Sequence, residues 1–176
     1  LVLCSMLSKI RDDYRIITHQ VLRQAPAVMD KILPIDFAET PAALATNLNT
    51  RTEAQKFLKS GGAVIVFPAG GISLAPNFIG PAFDVEWKTF AAKLAQQQDT
   101  TVIPFFFHGR NSVLYQMARR MSVTLGYSLM FREICKQMNS EVQVTMRAPI
   151  QSDALSALTT RQEIIEFLRS RTYGEK

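Results

Sequence analysis

The chain has 176 residues, of which 47% are hydrophobic and 20% charged, and its formal net charge is +5. This length suits one domain, and the apolar content is enough for a hydrophobic core. The positive charge favours anionic partners, but the basic residues are scattered, with no basic arm or basic helix. We therefore expect no nucleic-acid binding.

Cysteine and histidine are sparse in this sequence. Cys4 and Cys135 are the only cysteines, and their wide separation fits a reducing compartment better than a disulfide framework. The chain has no C-x-x-C motif and no histidine at metal-ligand spacing from a carboxylate. We expect neither a metal site nor a bound cofactor.

The first sixty residues predict short strands and helices in alternation. Residues 2–9 are typical of the end of a helix, so we expect a chain that lacks its N-terminal portion. Strands are predicted over 14–18 and 31–36, separated by a short helix over 20–30 that Pro26 interrupts. Thr40 and Pro41 then provide the N-cap and first turn of a helix that extends to about Lys59.

Residues 60–83 carry no charged side chain. Pro68, Pro76 and Pro81, together with several glycines, argue against a membrane-spanning helix in this stretch. We expect a buried strand over 63–67, followed by a long, packed loop over 70–81.

The next hundred residues continue the alternation of strands and helices. Residues 87–95 have the apolar spacing of a helix, 101–107 predict a strand, and Ser112 caps a further helix. The inner stripe of that helix is predicted to consist of Leu114, Met117, Ala118 and Met121.

An apolar helix over 125–137 is predicted next, and burial in the core is favoured over membrane contact for its stripe. That stripe comprises Tyr127, Leu129, Met130 and Phe131. A strand over 141–147 follows. Thr160 and Glu163 then form a capping box before a last helix that buries Ile164 and Leu168.

This order of elements predicts an α/β fold with a mixed, largely parallel central sheet flanked by helices. We find no linker and no repeat, so residues 1–176 are taken as a single domain. Phe105, Phe106 and Phe107 make both faces of their strand apolar, which favours a central position in the sheet.

The loop after the strand over 63–67 is the first candidate site. Its small residues would let backbone N–H groups approach an oxyanion or a phosphate, and Ser73 adds a hydroxyl. The alternative is a plain tight turn. The candidate substrate-binding residues here are Phe67, Pro68, Ala69, Gly70, Gly71 and Ser73.

The second candidate loop follows the strand over 101–107. It contains His108, Gly109, Arg110 and Asn111, and the planar guanidinium of Arg110 suits a phosphate. The alternative is a strand-to-helix turn with a solvated arginine. Because both strands are buried and end in glycine-containing turns, we expect the two loops to meet at one edge of the sheet.

A serine hydrolase is a further alternative for the same residues. Ser73 and His108 would be its nucleophile and base, with Asp84 orienting the histidine, although the chain has no G-x-S-x-G motif. His19 follows a short strand and is interpreted as structural.

Together these motifs resemble those of the lysophospholipid (glycerolipid) acyltransferase family. The segment F-P-A-G-G-I-S over 67–73 resembles the family's F-P-E-G-T-R-S block, and 102–109 is similar to its later V-I-P block. Residues 32–36 lie where the family has its second block. The neighbouring G-R-N-S resembles a bacterial, hemolysin-like branch.

The resemblance implies acyl transfer from acyl-CoA or acyl carrier protein to a hydroxyl of a lyso-lipid or a glycerol-phosphate-like acceptor. It also implies a peripheral enzyme at the cytoplasmic face of the membrane. In the family the general base is the histidine of an H-x-x-x-x-D motif, which this chain lacks because Gln24 and Val113 occupy the acid positions. We therefore assign no catalytic residue and expect the motif to precede Leu1, so that the chain alone would be inert. The alternative is a non-catalytic lipid- or acyl-chain-binding module.

Several departures from the family pattern concern the acceptor. Ala69 replaces the glutamate, and Gly71 and Ile72 replace the Thr-Arg pair, which removes the family's phosphate-binding arginine. The arginine that usually follows the family's second block is also absent, since Phe37 follows Asp36. Glycerol 3-phosphate is therefore a poorer candidate than a lyso-lipid with another head group. Arg110 is the residue expected to supply the missing positive charge.

Overall fold

A computed structural model describes residues 2–24, 26–77, 80–138 and 140–175, and these form a mixed α/β structure. Most elements lie where the sequence predicts them. In chain order the α-helices and strands are α1 (Val2–Leu7), β1 (Tyr14–His19), β2 (Ile32–Ile35), α2 (Pro41–Lys59), β3 (Ala63–Ile65), α3 (Phe90–Ala95), β4 (Thr101–Val102), β5 (Phe105–Phe107), α4 (Val113–Met121), α5 (Val123–Gln137), β6 (Val144–Met146), β7 (Ile150–Gln151) and α6 (Arg161–Tyr173).

The connection between β1 and β2 differs from the predicted short helix. Two 3-10 helices, Gln20–Gln24 and Pro26–Lys31, take its place. Ala25, within the predicted helix, lies outside the described residues, as do Phe78 and Ile79 of the predicted loop over 70–81. Proline lacks the backbone N–H that a continuous α-helix needs, which accounts for two short segments.

Among the described residues the strands form three small sheets, so the predicted single central sheet is wrong. The largest is parallel, in the order β2-β1-β3, with Ile16 opposite both Ile32 and Ile65. The other two are antiparallel pairs, β4 with β7 and β5 with β6. The α/β class is confirmed at this coarser level.

The strand predicted over 101–107 is two strands, interrupted at Ile103 and Pro104. Pro104 has no N–H to donate, although its carbonyl accepts a hydrogen bond of 2.9 Å from the amide of Arg147. Within the described chain β5 pairs only with β6, so the central position predicted for Phe105–Phe107 is wrong. All three phenylalanines are half-buried.

Helix ends follow the predicted capping chemistry. The Thr40 hydroxyl accepts a hydrogen bond from the amide of Ala43, at 3.1 Å, at the start of α2. Thr160 and Glu163 form both halves of the capping box at the start of α6. These predictions hold because a cap depends on neighbours in the sequence and not on tertiary contacts.

Two hydrophobic clusters make up the core. The first packs α6 against the segment before α3, with Trp87, Ile164 and Leu168 at its centre. The second lies under the parallel sheet and contains Ile17, Leu33, Ala54 and Leu94. Trp87 belongs to the loop and not to the helix predicted over 87–95, since α3 begins only at Phe90.

The inner stripe predicted for α4 is wrong. Leu114, Met117 and Met121 are exposed, whereas Tyr115, Gln116 and Ala118 are the buried residues of the helix. The reason is a polar attachment: the Gln116 side chain accepts a hydrogen bond of 3.1 Å from the amide of Ala75. Of the predicted stripe, Ala118 alone is buried.

Burial is also the wrong prediction for much of the stripe on α5. Tyr127 and Phe131 are exposed, and Leu129 and Met130 are half-buried. Helix α5 instead turns Gly126 and Glu133 inward, towards α4. A survey of the described helices finds none with the length and apolar character needed to cross a membrane.

Candidate functional site

The parallel sheet brings the ends of three strands to one edge. Strand β1 ends at His19, β2 at Ile35 and β3 at Ile65, and all three run in the same direction. The carboxyl edge of a parallel sheet is where α/β proteins bind ligands, because the loops that leave the strands converge there. Here His19 is the last residue of β1, Asp36 and Phe37 follow β2, and the predicted binding segment over 67–71 follows β3.

Gly70, Phe37 and His19 meet at this edge. The backbone of Gly70 has a φ of +61°, and a Cβ built on it would lie 3.1 Å from Cε1 of Phe37. The Phe37 ring lies 5.8 Å, centroid to centroid, from the His19 imidazole. Only glycine permits this conformation and this approach without strain, so the loop requires it here.

The loop itself is held by backbone contacts. The amide of Gly70 donates to the Phe67 carbonyl at 3.0 Å, and the Pro68 carbonyl accepts from the amide of Lys88 at 2.8 Å. Ala69 is buried, whereas the Phe67 side chain is about half-exposed. The amide of Gly70 is therefore engaged in the turn, which leaves the amides beyond it as the candidate donors for an oxyanion.

Ser73 is fixed by Asp84. Its hydroxyl donates to Oδ1 of Asp84, whose Oδ2 accepts from Nε1 of Trp87 at 2.9 Å. The amide of Asp84 donates to the Tyr173 hydroxyl at 3.1 Å, which connects this loop to the end of α6. Burial, the largest cause, raises the pKa of Tyr173, so its phenol stays neutral at physiological pH.

The second predicted loop lies on a different sheet. His108 Nε2 is 2.7 Å from the Thr145 hydroxyl, and its imidazole meets the Phe106 ring edge-on at 4.8 Å. Arg110 donates to the Gly80 carbonyl at 3.1 Å, and Gly109 has a φ of +113°. Asn111, next to it, is half-buried.

The predicted convergence of β3 and β5 at one sheet edge is wrong. Strand β3 belongs to the parallel sheet and β5 to an antiparallel pair, so the two loops do not leave neighbouring strands. The hydrogen bond from Arg110 to Gly80 nevertheless joins the second loop to the far end of the predicted loop over 70–81. Pro104 interrupts the strand that would have continued the parallel order.

The geometry also opposes the serine hydrolase. In that arrangement the histidine lies between serine and aspartate. Here Ser73 donates directly to Asp84, and Nε2 of His108 pairs with the Thr145 hydroxyl. The predicted residues are present, but the relay of hydrogen bonds among them is not formed in the described part of the chain.

His19, Asp36 and Phe37 are the residues that the sequence-based prediction missed. The carboxylate of Asp36 accepts a hydrogen bond from the side-chain amide of Gln20 at 2.6 Å and another from the backbone amide of Ala38 at 3.0 Å. Nδ1 of His19 accepts a hydrogen bond from the backbone amide of Val21 at 3.2 Å, which leaves Nε2 as the ring nitrogen that can donate. Their position directly after two predicted strands was the available signal.

One shallow pocket of about 350 Å³ is lined by Phe83, Arg169 and Tyr173, with Glu166, Ser170 and Glu175 around them. It lies near Asp84 and not at the carboxyl edge of the sheet. In the described ranges, no three His, Cys, Asp or Glu side chains are grouped as metal ligands.

Family models, curated proteins and solved structures were each compared with this chain, and none of them matches it. The function must therefore be argued from the site and from the motifs that form it.

Proposed function

We propose that this chain is the acyltransferase domain of a lyso-lipid acyltransferase, with an acyltransferase-like α/β fold. The observation that carries the proposal is the contact between Gly70 and Phe37. Gly70 belongs to the segment that resembles the F-P-E-G-T-R-S block, and Phe37 directly follows residues 32–36, which lie where the family has its second block. Two segments that are far apart in the sequence thus meet at the carboxyl edge of a parallel sheet, which is the edge where α/β proteins generally bind ligands.

The proposed reaction moves an acyl group from the thioester of acyl-CoA or acyl carrier protein to the acceptor. The acceptor hydroxyl attacks the thioester carbonyl, a C–O bond forms, the C–S bond breaks, and the carrier leaves as its thiol. A general base takes the hydroxyl proton and returns one to the leaving thiolate. Backbone amides of the loop over 67–73 would stabilise the oxyanion.

We propose no general base among residues 1–176. The sequence contains no H-x-x-x-x-D motif, and in the described part of the chain the His108 ring contacts Phe106 and the Thr145 hydroxyl. Within this chain the proposal assigns substrate binding to Phe67, Pro68, Ala69, Gly70 and Gly71. His19 is added as the imidazole that lies at the same edge.

The acceptor proposed is a lyso-lipid and not glycerol 3-phosphate. Position 72 holds isoleucine, so the loop has no arginine for a free phosphate. Arg110 is the cation proposed to contact the head group, since it hydrogen-bonds the segment that follows this loop. The enzyme would work as a peripheral protein at the cytoplasmic face of the membrane.

The proposal is tested by acyl transfer with the complete gene product. Labelled acyl-CoA and labelled acyl carrier protein are offered with a panel of lyso-lipids, and the labelled diacyl product is measured. We expect transfer from one of the donors. We also expect Ser73→Ala to keep it within about tenfold, because Ser73 is a hydrogen-bond donor to Asp84 and not a nucleophile.

Each alternative has its own outcome in this assay. Binding of acyl donor or lyso-lipid without any turnover would support the non-catalytic binding module and overturn the enzyme. Release of free fatty acid that Ser73→Ala abolishes, with no transfer, would support the hydrolase. His19→Ala tests the added residue, because loss of transfer with unchanged thermal stability would place His19 at the site.

A further inference from the structure

Three basic side chains that are far apart in the sequence come together on the surface of the fold. Arg51 belongs to α2, Lys93 belongs to α3, and Arg161 is the first residue of α6. Arg161 is exposed, whereas Arg51 and Lys93 are half-buried. We call these three residues the basic cluster.

The contact between α3 and α2 brings two of these cations together. The side-chain amide of Gln97 donates a hydrogen bond of 3.1 Å to the backbone carbonyl of Gln55. Lys93 precedes Gln97 by about one helical turn, and Arg51 precedes Gln55 by about one turn. Residues four apart lie on the same face of a helix, so Lys93 and Arg51 both lie beside this contact.

The third cation comes from the start of α6, which packs on the other side of α3. Ala92 and Ala95 of α3 share a hydrophobic cluster with Ile164 of α6. Arg161 precedes Ile164 by three residues, and residues three apart on a helix share a face. Arg161 therefore lies on the face of α6 that packs on α3.

The three charges act on one another. The guanidinium of Arg161, and to a smaller extent that of Arg51, lowers the pKa of the Lys93 ammonium below its ordinary value of about 10.5. Like charges lower the pKa of an amine in this way when they lie close to it. The folded chain therefore holds the basic cluster together against its own repulsion.

No carboxylate in the described ranges forms an ion pair with the basic cluster. On α2, Glu53 pairs with Lys56 at 2.9 Å, and on α6, Glu163 accepts hydrogen bonds from the amides of Thr159 and Thr160. The N-terminus of α6, a helix of 13 residues, adds the positive end of a helix dipole. Cations held together without a counter-charge create a positive potential that attracts an anion.

We infer that the basic cluster binds a phosphate group of a small-molecule ligand. The planar forks of two guanidiniums match the oxygens of a phosphate, and the lysine ammonium adds a point charge. A phosphate monoester carries roughly two negative charges at neutral pH and a carboxylate one, so phosphate offsets more of the repulsion. Three cations form a compact spot and not the long basic track that a nucleic-acid backbone requires.

This inference goes beyond the proposed function. None of the three residues belongs to the candidate substrate-binding loops, and binding of a phosphate requires no acyl transfer. The phosphate has two possible sources: a free phosphorylated metabolite, or the nucleotide end of an acyl-CoA donor. Both sources present the same chemistry to the basic cluster, so the experiment includes a probe for each.

The test is isothermal titration calorimetry on the complete gene product, in chloride buffer of constant ionic strength. The probes are inorganic phosphate, pyrophosphate and the adenosine bisphosphate that forms the nucleotide end of coenzyme A. We expect saturable binding of one phosphate probe per chain. Binding of the adenosine bisphosphate at least about tenfold tighter than inorganic phosphate would identify coenzyme A as the source, and equal or weaker binding would identify a free metabolite.

Substitutions within the basic cluster test which residues bind the phosphate. Arg161→Gln and Arg51→Gln should each weaken binding at least about tenfold, because a charge and a bidentate donor are lost. Arg161→Lys keeps the charge without the fork and should lie between the wild type and Arg161→Gln. Matched controls are Lys59→Gln on α2 and Arg171→Gln on α6, which remove the same charge from exposed positions outside the cluster and should bind as the wild type does.

Thermal unfolding provides a second measurement. Phosphate should raise the melting temperature of the wild type relative to chloride at the same ionic strength, and it should leave that of Arg161→Gln unchanged. In chloride alone, Lys93→Gln should be at least as stable as the wild type because it relieves repulsion, so its loss of binding cannot result from unfolding.

Two results would overturn the inference. One is the absence of saturable binding of all three probes to the wild type. The other is binding that the control variants weaken as much as the cluster variants, which would show a dependence on net charge alone. Neither measurement requires turnover, so phosphate binding and acyl transfer fail or succeed independently.

Discussion

At the scale of single residues, the candidate site depends on what the backbone permits at Gly70. Its positive φ and the Phe37 ring beside it exclude a side chain for two separate reasons. The next residue, Gly71, is different, because a Cβ there would meet Cγ2 of Val85 at an ordinary contact distance of 3.7 Å. Two adjacent glycines in one motif thus have unequal roles.

Gly70→Ala should destabilise the protein by about 1–2 kcal/mol, because an L-residue is strained in the left-handed region and its methyl group would press on Phe37. Gly71→Ala is the matched control and should change the free energy of unfolding by less than about 0.5 kcal/mol. Urea denaturation measures both. Equal losses in the two variants would contradict the asymmetry between the two glycines.

Asp84 is the other residue on which the local arrangement depends. Its carboxylate accepts hydrogen bonds from the Ser73 hydroxyl and the Trp87 indole N–H, and its backbone amide donates to the Tyr173 hydroxyl. These three partners come from the candidate loop, the core and the last helix. Asp84 therefore couples the loop to the body of the protein, which explains why a serine in this motif acts as a structural donor.

At the scale of elements, α6 begins with a capping box whose carboxylate, Glu163, makes the stability of the folded state depend on pH. Glu163 accepts from the amides of Thr160 and Thr159, and these hydrogen bonds, led by the one to Thr160, lower its pKa below the ordinary value of about 4.5. A carboxylate whose pKa is lowered in the folded state stabilises it above the unfolded pKa. That stabilisation is lost as the pH falls through the folded pKa.

Glu163→Gln should therefore be less stable than the wild type at neutral pH, because the amide lacks the charge that favours the first turn of a helix. The difference in melting temperature should shrink as the pH falls below about 4.5 and vanish once Glu163 is protonated. Thermal unfolding followed by circular dichroism between neutral and acidic pH checks this. A difference that persists at low pH would show that charge is not the cause.

The α4 helix illustrates a limit of periodicity as evidence. Leu114, Met117 and Met121 share one face as predicted, yet they are exposed. The helix buries Tyr115 and Gln116, and of the predicted stripe only Ala118. Contacts from Ala75 and Pro76, which are distant in the sequence, decide which way the helix faces. Periodicity thus identifies an amphipathic helix correctly and leaves its orientation open.

At the scale of the whole molecule, the two hydrophobic clusters are joined by one short helix. Ala92 and Ala95 of α3 pack in the cluster with Trp87, whereas Leu94 packs in the cluster under the parallel sheet. The side-chain amide of Gln97, just after α3, donates a hydrogen bond of 3.1 Å to the backbone carbonyl of Gln55 on α2, which adds a further link. We expect the clusters to unfold together.

Leu94→Ala should lower the free energy of unfolding by about 3 kcal/mol, because Leu94 is buried and its removal leaves a cavity. Trp87, the single tryptophan, reports on the other cluster by fluorescence. Its transition in urea should shift together with that seen by circular dichroism. Leu44→Ala, at an exposed position on α2, is the control and should shift neither transition.

Separate transitions for the two probes would contradict a single cooperative unit. They would show that α3 does not couple the cluster under the parallel sheet to the cluster around α6. The contact between Gly70 and Phe37 would then belong to one of two regions of the chain that unfold independently. The same measurement therefore bears on how rigidly the candidate loop is held.

Local chemistry explains which features could be predicted from the sequence alone. Thr40, Ser112 and Thr160 cap their helices as expected, because an N-cap acts on amides two or three residues away. Strands β1, β2 and β3 lie where β-branched runs indicate them, and Ile164 and Leu168 are buried as predicted. The glycine turn after β3 was likewise recognisable from its residues.

Only the tertiary structure decided how these pieces pair. No local signal shows that β5 joins β6 and not the parallel sheet, that Ser73 reaches Asp84, or that Phe37 packs against Gly70 and beside His19. Strand partners and helix orientation depend on contacts between distant segments, whose free energies compete across the whole chain. The sequence by itself therefore determined most helices and strands and their caps. Packing determined which strands pair, which face of α4 is exposed and which residues meet at the candidate site.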